Sequence, residues 1–325
     1  MTHNRRRFLT TSAAALALPA LPRAARAQAW PAGRTIRAVC PFSAGSTIDI
    51  LGRIITEPLA QALGATIVVE NRGGAGGSIG SAAVAKAEPD GYTLLINASA
   101  HTAAPAAYPN IAYDPAKDFA GVAMIGVVPN VLLVAPSKNI KSAQELAARA
   151  KAGEMTYASA GTGSASHWGA ERFRLSAGFT GTHVPFRGGP EALTEVMTGR
   201  VDFMCLGTAS SLPFIRDGRL VPLAVTTQKR SAALPEVPTT LELGFADSDY
   251  TFWNGFLAPA QTPKPIVERL HSEIGKILSD PAVQEKLKIQ GVEPLPLSPA
   301  EFDALMRREI ASNLALAKAA GLKFN

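Results

Sequence analysis

Ile36-Arg37-Ala38-Val39-Cys40-Pro41-Phe42-Ser43-Ala44-Gly45-Ser46-Thr47-Ile48-Asp49 runs from a short β-rich apolar segment through small residues into a helical pattern. Ile36 to Cys40 favours a strand and Ser43 to Thr47 a Gly/Ser turn, and Ile50, Ile54, Leu59 and Leu63 then recur at near-helical spacing over Asp49 to Leu63. The same design returns at Met155 to Ala158, a strand ending in Ser159-Ala160-Gly161-Thr162-Gly163-Ser164-Ala165-Ser166-His167 before a helix that reaches Ala177. Strand, turn and helix in repetition specify an α/β chain built on mostly parallel sheets flanked by helices.

The intervening segments continue the pattern. Thr66 to Val69 and Tyr92 to Ile96 read as strands around a glycine-rich loop, Asn71 to Gly77, and a helix, Ile79 to Lys86. Val122 to Val128 and Val131 to Val134 are strands broken by Pro129-Asn130, a first crossing between lobes. Ser142 to Ala152 is a helix with Ser142 and Glu145 in capping-box positions. Thr182 to Pro185 and Val201 to Cys205 are strands on either side of a helix at Pro190 to Thr198, and Val221 to Val225 is the return strand. Val267 to Leu278, Ala282 to Gln290 and Pro299 to Ala319 are amphipathic helices. The expected organisation is two α/β lobes, one inserted in the other: residues 28–129 with 222–325 form the first, and 130–221 the second. Two crossings make a hinge, and a hinge makes a closing cleft.

The 325 residues carry 32 Lys plus Arg against 26 Asp plus Glu. Five of the arginines fall in the first 27 residues, which hold no acid, so the rest of the chain is nearly neutral. A neutral body without a cationic stripe excludes a general nucleic-acid binder. The opening Arg5-Arg6-Arg7-Phe8-Leu9, the short apolar stretch after it and Ala25-Arg26-Ala27 form an export signal of twin-arginine type, cleaved before Gln28. The expected location is the periplasm. Cys40 and Cys205 are the only cysteines, too few for an all-thiolate zinc site. They could pair in an oxidising space, although separate burial as small hydrophobes is the preferred reading.

The two small-residue loops carry the candidate chemistry. Glycines let the backbone turn, and the first N–H groups of a helix then favour an anion. Facing each other across a cleft, Cys40 to Asp49 and Ala158 to His167 would clamp a carboxylate, with Ser43, Ser46, Thr162, Ser164 and Ser166 adding hydroxyl donors. Asp49 can orient its loop by accepting backbone N–H bonds, and His167 can donate to an anion or pack as a cap. Arg187 is either a cleft cation or a solvated side chain.

The glycine run Arg72 to Gly80 suits no enzyme motif well. It lacks the third glycine of a dinucleotide loop and the Gly-Lys of a phosphate loop. Gly76-Gly77-Ser78-Ile79-Gly80 matches a nucleophile elbow only formally, because six residues separate Ser78 from the strand. The five histidines show no metal-binding spacing, so no metal or other cofactor is expected. A serine hydrolase using Ser78 or Ser164 with His167 as base is the alternative from another function class.

From Trp30 to Phe324 the chain resembles the Bug (TctC-type) family of periplasmic solute-binding proteins of tripartite tricarboxylate transporters. The resemblance rests on Pro41-Phe42 through Asp49, Val68 to Arg72 with the glycine run, Pro89-Asp90-Gly91-Tyr92-Thr93-Leu94, and Tyr113-Asp114-Pro115 with Lys117-Asp118-Phe119. It continues in Tyr157 through His167, His183-Val184-Pro185-Phe186, Arg230 to Thr239, and Ala258-Pro259-Ala260 with Thr262-Pro263. It implies a type II periplasmic-binding-protein-like fold with two hinged lobes and no catalysis. The implied ligand is a small carboxylate delivered to membrane transporter subunits; a ligand-sensing subunit for a signalling kinase would use the same fold. A monomer is expected. Carried over, the ligand-binding residues are Phe42, Ser43, Ala44, Gly45, Ser46, Thr47 and Asp49 in the first loop and Ser159, Ala160, Gly161, Thr162, Gly163, Ser164 and His167 in the second, with Ser99 and Thr102 after the third strand. Where relatives often have a Phe-Asp-Asn-like run, this chain has Cys205-Leu206-Gly207, which implies an apolar or aromatic acid rather than a ligand with an amino group.

Overall fold

Ten strands form two five-stranded sheets in the computed structural model, which describes residues 30–31, 33–250 and 252–319. The expected export signal lies outside the described residues. The first sheet contains β1 (Ile36–Cys40), β2 (Ile67–Asn71), β3 (Thr93–Ala98), β4 (Phe119–Val128) and β10 (Phe252–Pro259) in the order β2-β1-β3-β10-β4. The second contains β5 (Asn130–Val134), β6 (Thr156–Ser159), β7 (Thr182–Pro185), β8 (Phe203–Gly207) and β9 (Val221–Val225) in the order β7-β6-β8-β5-β9. The orders are equivalent. In each sheet four strands run parallel, and the strand in the fourth place, β10 or β5, runs against both neighbours. Each reversed strand is the one that arrives from the other lobe.

Strand β9 pairs with β5, so Val221–Val225 belongs to the second sheet. The expected boundary at 221/222 therefore moves, and the second crossing starts at Thr226. The two crossings touch, since Thr226 N donates to the Asn130 carbonyl at 2.9 Å.

Strand β10 escapes the sequence reading for two physical reasons. Its eight residues are all buried, so nothing alternates, and its Asn254-Gly255 pair reads as a turn although here it marks a register shift against β4. Helices α3 (Ala100–Ala107) and α7 (Thr208–Arg216) were likewise unexpected, being short and interrupted by Pro105 and Pro213. The remaining helices are α1 (Thr47–Leu63), α2 (Ser78–Ala85), α4 (Ala143–Ala152), α5 (Ala165–Ala177), α6 (Gly189–Met197), α8 (Lys264–Ser279), α9 (Pro281–Ile289) and α10 (Pro299–Ala319).

Helix α1 buries Ile48, Leu51, Ile55, Leu59 and Leu63, a stripe turned from the expected Ile50 and Ile54 face. Gly52 sets that rotation: a Cβ there would meet the Ile96 side chain at 2.8 Å, so the helix lies directly on β3. In the first lobe Val39, Leu95, Trp253, Phe302 and Met306 share a core. The second lobe has one core on each sheet face, around Phe173 with Phe203 and around Leu193 with Met204. Cys40 and Cys205 are free and buried in different sheets; burial pushes the Cys40 thiol up to about 12 and raises Cys205 as well. Among the described residues no helix is long and apolar enough to cross a membrane.

Candidate functional site

Five helices begin at one pocket between the lobes. Ser46, Thr47 and Ile48 bring the start of α1, Ala100 that of α3, Ser164, Ala165 and Ser166 that of α5, Gly189 that of α6, and Gly207 that of α7. Phe42, Asn130, Ala160, Leu206 and Phe252 complete the lining. None of these residues is charged. The positive ends of several helix dipoles thus meet in a neutral, largely apolar hollow, a setting that favours an anion without supplying an ion pair.

The first loop is held from beneath. Asp49 is 3% exposed and accepts from Gly45 N at 2.9 Å, Arg53 Nε at 3.0 Å and Asn71 Nδ2 at 2.9 Å. Burial works against its ionisation, but these hydrogen bonds outweigh it and hold the carboxyl below its usual range. Asn71 also donates to the Phe42 carbonyl at 3.0 Å, so both ends of the turn are anchored. Gly45 takes φ +78°, which suits glycine. Ser46 caps α1 by accepting from Asp49 N at 3.4 Å.

The second loop repeats the cap, with Ser164 Oγ accepting from His167 N at 3.3 Å. His167 lies under the loop and off the pocket wall: its Nδ1 accepts from Gly163 N at 3.0 Å and its ring stacks on His183 at 3.8 Å. Burial, with lesser contributions from His183 and Arg174, pushes its pKa down to about 2, so it stays neutral. Ser159 bonds His183 Nε2 at 2.6 Å and accepts from Gly161 N at 3.1 Å.

Several of the expected backbone donors are therefore engaged inside the loops. Gly45 N is held by Asp49, Ala160 N by Ser166 Oγ at 2.8 Å, Gly161 N by Ser159 and Gly163 N by His167. The groups without a partner inside their own helix are the first-turn amides of Thr47, Ile48, Ala165 and Ser166. Of the residues expected at the ligand, Phe42, Ser46, Thr47, Ala160 and Ser164 line the pocket. Ser43 sits where the lobes meet, donating to Glu191 Oε1 at 2.7 Å, and Ala44 and Gly45 are exposed. Thr162 accepts from Tyr108 of the first lobe through its carbonyl. Ser99 accepts from the Tyr250 hydroxyl at 3.1 Å, and the Thr102 hydroxyl lies 2.8 Å from both Ser99 O and Glu309 Oε2; neither residue lines the pocket.

Sequence reasoning missed Ile48, Ala100, Asn130, Ala165, Gly189, Leu206, Gly207 and Phe252 as pocket residues. The apolar ones carry no local motif; Leu206 and Gly207 are signalled, by their departure from the family run. Ser78 donates to the Ala75 carbonyl at 2.7 Å, and Arg187 is exposed. No group of three or more His, Cys, Asp or Glu that could hold a metal occurs among the described residues.

Comparison with known proteins agrees with this architecture. Residues 51–322 match the model of the tripartite tricarboxylate transporter family receptor, TctC. A protein from the tcbD-tcbE intergenic region of Pseudomonas sp. (strain P51) is 36% identical over 94% of this chain and 91% of its own length. Rpa4515 of R. palustris with adipate is 34% identical with a TM-score of 0.86 and covers 90% of this chain and 98% of its own. MatC of Rhodopseudomonas palustris with bound malate is 33% identical with a TM-score of 0.82, over 87% and 98% of the respective chains. The family and these neighbours are solute-binding proteins, which sets aside the serine hydrolase reading. The chain is a solute-binding protein of the tripartite tricarboxylate transporter receptor family, TctC.

Proposed function

We propose that the protein captures a small carboxylate between its lobes in the periplasm and delivers it, as a monomer, to the membrane subunits of a tripartite transporter. The observation that carries this reading is the convergence of helix N-termini from both lobes on one uncharged pocket. The carboxylate is held by the first-turn amides of α1 and α5 with the hydroxyls of Ser46, Thr47 and Ser164. Phe42, Leu206 and Phe252 favour an apolar or aromatic remainder. The malate and adipate of the relatives support the carboxylate class. Residues 33–129 with 252–319 act as one lobe, and the segment from Asn130 to the strand at Val225 as the other. Contacts such as Thr47 Oγ1 to Ser210 Oγ at 2.9 Å join the lobes and give closure its differential energy.

The test is the thermal stability of the purified chain against mono-, di- and tricarboxylates, aromatic acids and their amides. Binding to the native state alone stabilises by about 2.7 kcal/mol at a hundredfold excess over Kd. A saturable shift with acids and none with the matching amides supports the clamp; equal shifts with both would sink it. Delivery is tested by uptake of the same acid in cells with and without the membrane subunits.

A further inference from the structure

Among the described pocket residues, Asn130 alone has a buried side-chain polar atom with no hydrogen-bond partner, its Oδ1. The amide cannot turn to relieve this. Its Nδ2 donates to the Ala165 carbonyl at 3.2 Å, and only the nitrogen end can pair with a carbonyl, so the oxygen end is fixed. Gly169 brings the backbone of α5 against the same nitrogen: a Cβ there would stand 3.1 Å away. The main chain is equally constrained, with Asn130 paired to Gly207 in the sheet and its carbonyl accepting from Thr226.

An amide oxygen repels a carboxylate and needs an O–H or N–H. No acidic side chain lines the pocket, so an ammonium would be left without a counter-charge, which favours a neutral hydroxyl. Ala165 is the first residue of α5, so the amide that carries the acceptor is tied to the helix start proposed to hold the carboxylate. Building on the carboxylate reading, we infer that the ligand is a hydroxy acid whose hydroxyl, on the first or second carbon from the carboxyl, donates to Asn130 Oδ1. Asn130 also stands at the first crossing and bonds the second, so the hydroxyl is read at the point where the lobes hinge.

The experiment is calorimetric titration of the purified chain with matched acids: mandelate against phenylacetate and phenylglycine, and 2-hydroxy-3-methylbutanoate against 3-methylbutanoate. The hydroxy acid of each pair binds at least about tenfold tighter than its parent, the lower range for leaving a buried acceptor unpaired. In Asn130→Leu that ratio falls to about one. Equal binding of hydroxy and parent acids by the unmodified chain overturns the inference, because water then serves the acceptor. Tighter binding of phenylglycine, or a ratio that survives Asn130→Leu, also overturns it. Binding of none of the acids, with binding of mandelamide instead, overturns the carboxylate reading itself. The comparison within the unmodified chain stands even where the variant fails to fold.

Discussion

Tyr108 in the first lobe donates its phenol hydrogen to the carbonyl of Thr162 in the second, at 2.9 Å. Gly76 packs against that same carbonyl, and a Cβ on Gly76 would collide with it. A Cβ on Gly161 would in turn stand 3.0 Å from Gly76 N, so the two glycine loops meet backbone to backbone. In the run that tempts three enzymatic readings, Gly73 and Gly76 are thus explained by close approach across the cleft, and Gly74 and Gly77 by close packing on Ile79 and Phe42 of their own lobe.

Gly76→Ala is expected to lower ligand affinity at least tenfold by holding the lobes apart, although Gly76 does not line the pocket. Gly178→Ala is the control. Both glycines have positive φ, +59° and +69°, but nothing lies within 4 Å of a Cβ on Gly178. Both variants lose about 1 kcal/mol of stability through backbone strain; only Gly76→Ala alters binding, and solution scattering of it with ligand shows a larger radius. Equal affinities in the two variants would show that this contact plays no part in closure.

Asp49→Ala leaves Gly45 N, Asn71 Nδ2 and Arg53 without their shared acceptor. The expected outcome is a stability loss of about 2–4 kcal/mol and much weaker binding, through a loop that no longer holds its turn. Asp49→Asn retains one acceptor oxygen and recovers part of both. Chemical denaturation and titration of the two variants measure this; binding unchanged in Asp49→Ala would mean that the loop's shape does not depend on the carboxylate.

Those two loops also mark what was legible in the sequence. Strand, small-residue turn and helix are local features, and Ser142 caps α4 where the pattern places it, whereas Ser46 and Ser164, expected as donors to the ligand, cap α1 and α5. Asp49 as an orienter of its loop follows from the same logic. Which amides stay available does not, because Gly163 is engaged by His167 only once α5 has formed. Strand β10 and the pocket face of Phe252 depend on a partner sheet more than 100 residues away in sequence. Asn130 looked like a crossing residue, and its unpaired oxygen appears only when Ala165 claims the other end of the amide.

Leu206→Asp should exchange ligand class. Leu206 is 5% exposed and lines the pocket with Gly189, whose Cβ position lies 3.0 Å from the leucine side chain. A carboxylate there opposes the helix dipoles' preference for an anionic ligand and supplies a partner for an ammonium. Simple carboxylates should bind at least tenfold more weakly and α-amino acids more tightly relative to them. Titrations with phenylacetate and phenylglycine decide it; an unchanged ratio of the two would place Leu206 outside the recognition surface.

The last expectation concerns acid. Burial lowers His101 and His183 to about 4, and burial, helped by the nearby His183 and Arg174 charges, lowers His167 to about 2, against an ordinary value of 6.5. The folded chain therefore binds fewer protons at these sites than the unfolded chain as pH falls below 6.5. Their contribution to stability is complete above 6.5 and is lost as pH falls toward 4, at up to about 1.4 kcal/mol per pH unit for each histidine. Burial raises Asp303 and Glu309, which favours folding as pH falls and offsets part of this loss. Asp49 and Asp202 are lowered and act only below the ordinary carboxylate value of 3.8. A variant difference isolates the histidine contribution: in His183→Gln, unfolding free energy between pH 6 and pH 4.5 should be flatter by roughly one proton. Parallel curves for the two proteins would mean that His183 titrates normally in the folded state and that the stacked pair with His167 is open to water.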